Sequence, residues 1–191
     1  MTDVTIFEGP VPTEPTLSWS AIFAGSLVAV ATSVFLTVLA SGFGYNLAAG
    51  ALASRGSLDA FTPELGAGAI AIQVISAGLG GYLAGRLRHA WNLAHADEAH
   101  FRDTAQGLVV WALSAIGGLM LFALVMAPWD AQLAPVAPAA AVDPVRAAHI
   151  LAQAAFFAAV GMLLSAFTAA VAARIGGLQT EHMHSRVRAQ A

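Results

Sequence analysis

What most constrains this chain is where its charges are missing. No Asp, Glu, Lys or Arg falls between Glu14 and Arg55, Glu64 and Arg86, Asp103 and Asp130, or Arg146 and Arg174. Each run holds 20 or more residues, and about 20 apolar residues cross the hydrocarbon core of a bilayer as a helix. In lipid every backbone N–H and C=O must be satisfied internally, which leaves helices or closed barrels. The runs lack the alternation of barrel strands. The expected fold is therefore an all-α membrane protein, a bundle of four transmembrane helices. Composition agrees, because only 10% of the 191 residues are charged, against ~25% in a soluble domain.

Local signals place the helices at about 17–50, 63–87, 103–127 and 144–175, within a membrane domain spanning 17–177. Residues 1–16 carry Pro10, Pro12 and Pro15 with three acids and no positive segment. They read as an extended leader, not a cleaved signal. The first charge-free run is 40 residues long, so the stretch at 41–50 is expected either to loosen or to continue as a tilted extension. Trp19 stands where an interfacial anchor belongs, as does Trp129 at the other side. Thr62-Pro63-Glu64 has the order N-cap, N1 proline, first-turn acid, and Asp143-Pro144 repeats its start. Asp103 and Gln106 stand in capping-box spacing for the third helix. Pro128 is expected to close that helix, and Gly176-Gly177 to stop the fourth before a tail at 178–191.

Small residues recur every four positions: Ala21, Gly25 and Ala29 (continuing to Ser33, Thr37 and Ser41), Ala77, Gly81 and Gly85, then Gly161, Ser165, Ala169 and Ala173. Such ridges let a neighbouring backbone approach closely. A weak parallel two-plus-two repeat is also readable, from SAI at Ser20 and Ser114 and from LAGRL at 83–87 against VAARI at 171–175. With four spans both termini share a side with the central turn. That side holds Arg86, Arg88, Arg102, Arg174, Arg186 and Arg188, against Arg55 and Arg146 on the other. The bias predicts cytoplasmic termini.

The chemistry expected of these residues is slight. No span carries an ionisable residue near its middle, which argues against a proton- or ion-coupled transporter. Gln73 and Gln153 are expected to hydrogen-bond to neighbouring helices. There is no cysteine, no nucleophile–base pair and no phosphate-cradling loop, so no enzyme activity and no cofactor are expected. Nor is there a basic patch for nucleic acid. His149, a lone histidine near an interface, is weak ground for a pigment ligand. The polar turn holds His95, Asp97, Glu98 and His100, with His182 and His184 on the same side. A metal would need three or four of these to converge, and the expected reading is instead a solvated, hydrogen-bonded turn. Within it Glu98 and Arg102 form a favourably oriented i,i+4 pair.

GGYLAGRLR at 80–88 followed by HADEAHFRDTAQGLVVWAL at 95–113 resembles an uncharacterised family of bacterial multi-pass inner-membrane proteins, and LSWSAIFAG at 17–25 is similar to that family's first helix. Gln106 stands where the family pattern has histidine. The resemblance implies a multi-helix fold in a bacterial inner membrane and carries no activity or substrate. The motif positions Gly81, Gly85, Arg86, Asp97, Glu98, Arg102, Asp103 and Gln106 are accordingly expected to be architectural. The leading expectation is a non-catalytic protein working through helix packing, as an accessory subunit of a membrane complex or a homo-oligomer in the lipid bilayer. A passive channel or carrier for a small solute, and a sensor using the polar turn, are the alternatives.

Overall fold

The computed structural model describes residues 17–43, 62–88, 96–133 and 144–190, of which 96, 97, 125–133, 144, 146, 147 and 181–190 are described as backbone only. The described residues form four helices: α1 (Trp19–Gly42), α2 (Pro63–Leu87), α3 (Ala96–Leu133) and α4 (Pro144–Gln190). Each contains a stretch long and apolar enough to cross a membrane, and no strand occurs among the described residues. The fold is the expected all-α bundle of four candidate spans. Large apolar side chains stand outward on every helix, among them Leu27, Phe35, Leu79, Leu124, Leu163 and Phe167. In water so much exposed apolar surface would drive association. Against lipid tails it is the expected outer surface.

Helix contacts set the arrangement. Gly25 of α1 meets Gly80 of α2, and Gln106 of α3 meets Ala84. Gly66, Gly78 and Gly85 of α2 meet Phe157, Thr168 and Ala173 of α4 in the same order. Thus α2 and α4 run parallel to each other and antiparallel to α1 and α3. The helices stand in the ring order α1, α2, α4, α3. α2 and α3 touch across the short diagonal, while α1 and α4 share no comparable contact among the described residues. A two-plus-two repeat would make the α2–α3 and α4–α1 contacts equivalent, and they are not. The packing therefore departs from a strict two-plus-two repeat along its diagonal.

The helix ends correct several sequence expectations. Leu65 N–H donates to Thr62 Oγ1 at 3.4 Å, so the cap and N1 proline of α2 are as expected. Asp143 lies outside the described residues, as do 44–50, where the fate of the first run would show; α1 itself ends at Gly42. α3 starts at Ala96, not 103. Asp103 and Gln106 therefore lie well inside the helix and form no capping box, because the N–H groups they would cap already belong to the helical ladder. Pro128 does not close α3, which continues to Leu133. A proline removes one backbone bond, but in apolar surroundings the flanking groups have no better partner than the helix.

Gly176 and Gly177 do not stop α4, whose backbone stays helical to Gln190 through the expected tail. Both glycines are buried against α2 and α3. A Cβ on Gly176 would strike the Tyr82 carbonyl oxygen, and one on Gly177 the Asp103 carboxylate. Their smallness serves close approach and not a left-handed cap.

Candidate functional site

Two regions concentrate the non-lipid features: a polar cluster at the arginine-rich end and a cavity in the other half of the bundle. The cluster begins with close backbone contact. A Cβ added to Gly25 would lie 2.5 Å from the Gly80 carbonyl oxygen, and one on Gly80 2.6 Å from that of Gly25. Gly81 and Gly85 would strike the carbonyl oxygens of Ala169 and Ala173, and Gly107 of α3 would meet the Ala169 carbonyl oxygen at 2.5 Å. α2 thus has two small-residue faces. Gly80 and Ala84 serve α1; Gly81 and Gly85 serve α4. Ala21, Ala29, Ala77, Ser165, Ala169 and Ala173 are all buried with them, and Gly161 packs on Gln73. The ridges read from the sequence therefore meet each other inside one chain.

On this scaffold sits an ion pair. Arg88 follows the last residue of α2 with an extended backbone. Its Nη2 donates to Asp103 Oδ2 at 2.8 Å, and its Nε pairs with Oδ1. Both side chains are at most 1% exposed. The two parallel contacts form the fork by which arginine holds a carboxylate in one orientation. Gly177 supplies the floor, since a side chain there would displace both partners. One turn on, Gln106 Nε2 donates to the Ala84 carbonyl at 2.9 Å and its Oε1 accepts from Ser18 N–H at 3.4 Å. One buried amide so joins three helices. Tyr82 Oη and Arg86 Nη1 both donate to Gln179 Oε1, at 2.6 and 3.2 Å, and Thr180 Oγ1 donates to the Arg86 carbonyl at 3.3 Å.

Of the sequence-read positions, Glu98 and Arg102 form their i,i+4 pair at 2.9 Å on the surface. Arg86, Asp103 and Gln106 join the cluster, but Asp103 and Gln106 as interhelical ties and not as caps. The Asp97 side chain, His95 and the side chains of His182 and His184 lie outside the described residues. His100 is half-buried, and among the described residues no three His, Asp or Glu side chains approach one another closely enough for a metal.

Sequence reasoning missed Arg88 as a buried partner, and with it Ser18, Gly80, Gly107, Gly176, Gln179 and Thr180. The burial pattern shows what was missed: Ala99, Asp103, Gln106, Gly107 and Val110 are the buried residues among the described side chains of α3, and their spacing of 4, 3, 1 and 3 marks a single helix face. That face carries Asp103 inward, and its buried carboxylate is paired with the Arg88 guanidinium.

The second region opens beyond Ala29, Ala77, Trp111 and Ser165, where the four helices separate around a cavity of about 680 Å³. Ser33 and Thr37 line it from α1, Gln73 and Ser76 from α2, and Ser114 and Gly118 from α3. Trp111 Nε1 donates to Ser165 Oγ at 3.0 Å across its closed end. The volume lies within the range of small-molecule pockets, about 300–1,000 Å³. Gln73 does not hydrogen-bond to a neighbouring helix as expected. Its Oε1 is wedged over Gly161, without a hydrogen-bond partner. No family profile, no curated protein and no solved structure matches this chain.

Proposed function

We propose that this chain is a non-catalytic integral membrane protein that works by helix packing, as an accessory subunit of a membrane complex or as a homo-oligomer. The observation that carries this reading is the use to which the motif is put. Arg88, Asp103, Gln106, Arg86 and Tyr82 all spend their polar groups on other helices of the same chain, as a structural latch does. The α4 backbone supports the docking part. At 1.5 Å per residue its 47 residues span about 70 Å, more than twice the ~30 Å hydrocarbon core. Its last ten residues project beyond the latch as a helix bearing Arg186 and Arg188, a handle for a partner. The latch lies on the cytoplasmic side of a bacterial inner membrane in this proposal, on the strength of the arginine bias and the motif resemblance.

Purification from native membranes in a mild detergent, with mass determination, tests the packing role. A stoichiometric partner or a defined oligomer is expected, and a lone monomer defeats it. Reporter fusions after residue 190 test the orientation. The passive-pore alternative has the cavity in its favour. However, the cavity wall ends about one turn short of the Gly25–Gly80 crossing, so we treat it as a pocket closed at one end.

A further inference from the structure

In the membrane-spanning helices a hydroxyl ordinarily satisfies itself on its own backbone. Nine here do so: Ser26, Ser33, Thr37, Ser41, Thr104, Ser114, Ser165, Thr168 and Thr180 each donate to a carbonyl three or four residues earlier. Among the buried hydroxyls of these helices, Ser26, Ser76, Ser165 and Thr180, Ser76 is the exception. It is 4% exposed, it borders the cavity, and its Oγ has no hydrogen-bond partner among the described residues. One turn earlier on the same face of α2, the Gln73 amide is likewise without a hydrogen bond to any described residue, its Oε1 buried and orphaned. Two adjacent polar groups left unsatisfied at bilayer depth mark a place where something else completes them.

We propose that the cavity binds an uncharged amphiphile with a hydroxyl head and an apolar tail. The head group meets Gln73 and Ser76 once their side chains, whose Oε1 and Oγ are enclosed between helices, turn toward the cavity. The choice of a hydroxyl follows from chemistry: an amide offers both a donor and an acceptor, a serine oxygen does the same, and a hydroxyl can answer either in both directions. Charged heads do not fit, because no Asp, Glu, Lys or Arg lines the cavity. The tail runs away from the closed end marked by the Trp111–Ser165 bond, along Leu65, Leu119 and Phe122. From Gln73 to Leu65 that path is about 12 Å, eight residues at 1.5 Å each. The site is independent of any partner docking on the outside of the bundle.

Trp111 lies in the cavity wall, so its fluorescence reports occupancy. The detergent-solubilised full chain is titrated with 2-bromododecan-1-ol, whose bromine stands beside the head and so near Trp111, and with 1-bromododecane, using Trp111→Phe to isolate that signal. Saturable quenching by the alcohol is expected, displaced by unlabelled dodecanol, with the alkane at least tenfold weaker. Gln73→Leu should reduce that preference to near unity. Gly118→Leu should abolish saturable quenching while keeping the melting temperature, because a Cβ at Gly118 meets nothing within 4 Å and the new side chain can fill the cavity. Equal affinity for alcohol and alkane in the wild type, or unchanged quenching in Gly118→Leu, overturns the proposal. Displacement by dodecanol is read on the wild-type protein and needs no variant to fold. Mass spectrometry of lipid co-purified with wild type and lost from Gly118→Leu then separates an isoprenoid alcohol from an acylglycerol as the source.

Discussion

At the arginine end, α2 touches α1, α3 and α4 through glycine and alanine, and the polar side chains there are tied to one another. In the other half the same helices stand apart around a cavity, and two polar groups on α2 have no hydrogen-bond partner among the described residues. Both halves are built from the same apolar vocabulary, so hydrophobicity cannot distinguish them. Lipid tails are as apolar as leucine, and only close packing and interhelical hydrogen bonds favour helix against helix over helix against lipid. Where small residues face each other, backbones approach and the polar groups can reach across. Where Leu65, Leu119 and Phe122 line the wall, the helices leave a cavity between them.

The sharpest way to break that contrast is to cut the ion pair. Arg88→Met or Asp103→Leu alone takes the facing charge away from a buried ion and should destabilise the bundle by about 3–5 kcal/mol, whereas the double variant should recover most of the loss. Equilibrium unfolding in mixed micelles measures both, and an additive double variant would show that the pair does not act as a unit. Next in size is a matched pair of glycine substitutions. Gly85→Ala puts a Cβ against the Ala173 backbone and should cost about 1–3 kcal/mol as overpacking. Gly118→Ala meets open space and should instead stabilise by about 0.5–1 kcal/mol through helix propensity. Equal effects of the two would erase the distinction between the halves.

Smaller still is Gln106→Leu, which removes the hydrogen bonds to Ala84 and Ser18. Interhelical bonds of this kind in membranes are worth about 0.6 kcal/mol on average, so a loss of order 1 kcal/mol is expected, read as a lower melting temperature in detergent. Least of all, Glu98→Ala should cost no more than about 0.5 kcal/mol, and less at high salt. Its partner Arg102 is 22% exposed and Glu98 itself 53%, where surface screening leaves ion pairs little net value. A large effect there would move the latch outward, to the turn.

Much of this protein is written locally in its sequence. Four charge-free runs require four helices, because a backbone in lipid has no other partner, and Thr62-Pro63 marks the start of α2 because capping is decided within one turn. The small residues on α1, α2 and α4 announce close approach. What they approach is not local information. Gly176 and Gly177 have the composition of a helix stop, and Asp103 with Gln106 the spacing of a helix start. Each reading failed because the tertiary structure gave those residues a neighbour: α2 for Gly176, Arg88 for Asp103, and Ala84 with Ser18 for Gln106. The cavity was equally invisible, since it is made by the divergence of four helices and by no residue alone. The sequence by itself determined that the chain lies in a membrane as helices. The tertiary structure decided which end is locked and which is open, because that depends on where small faces on separate helices come into register.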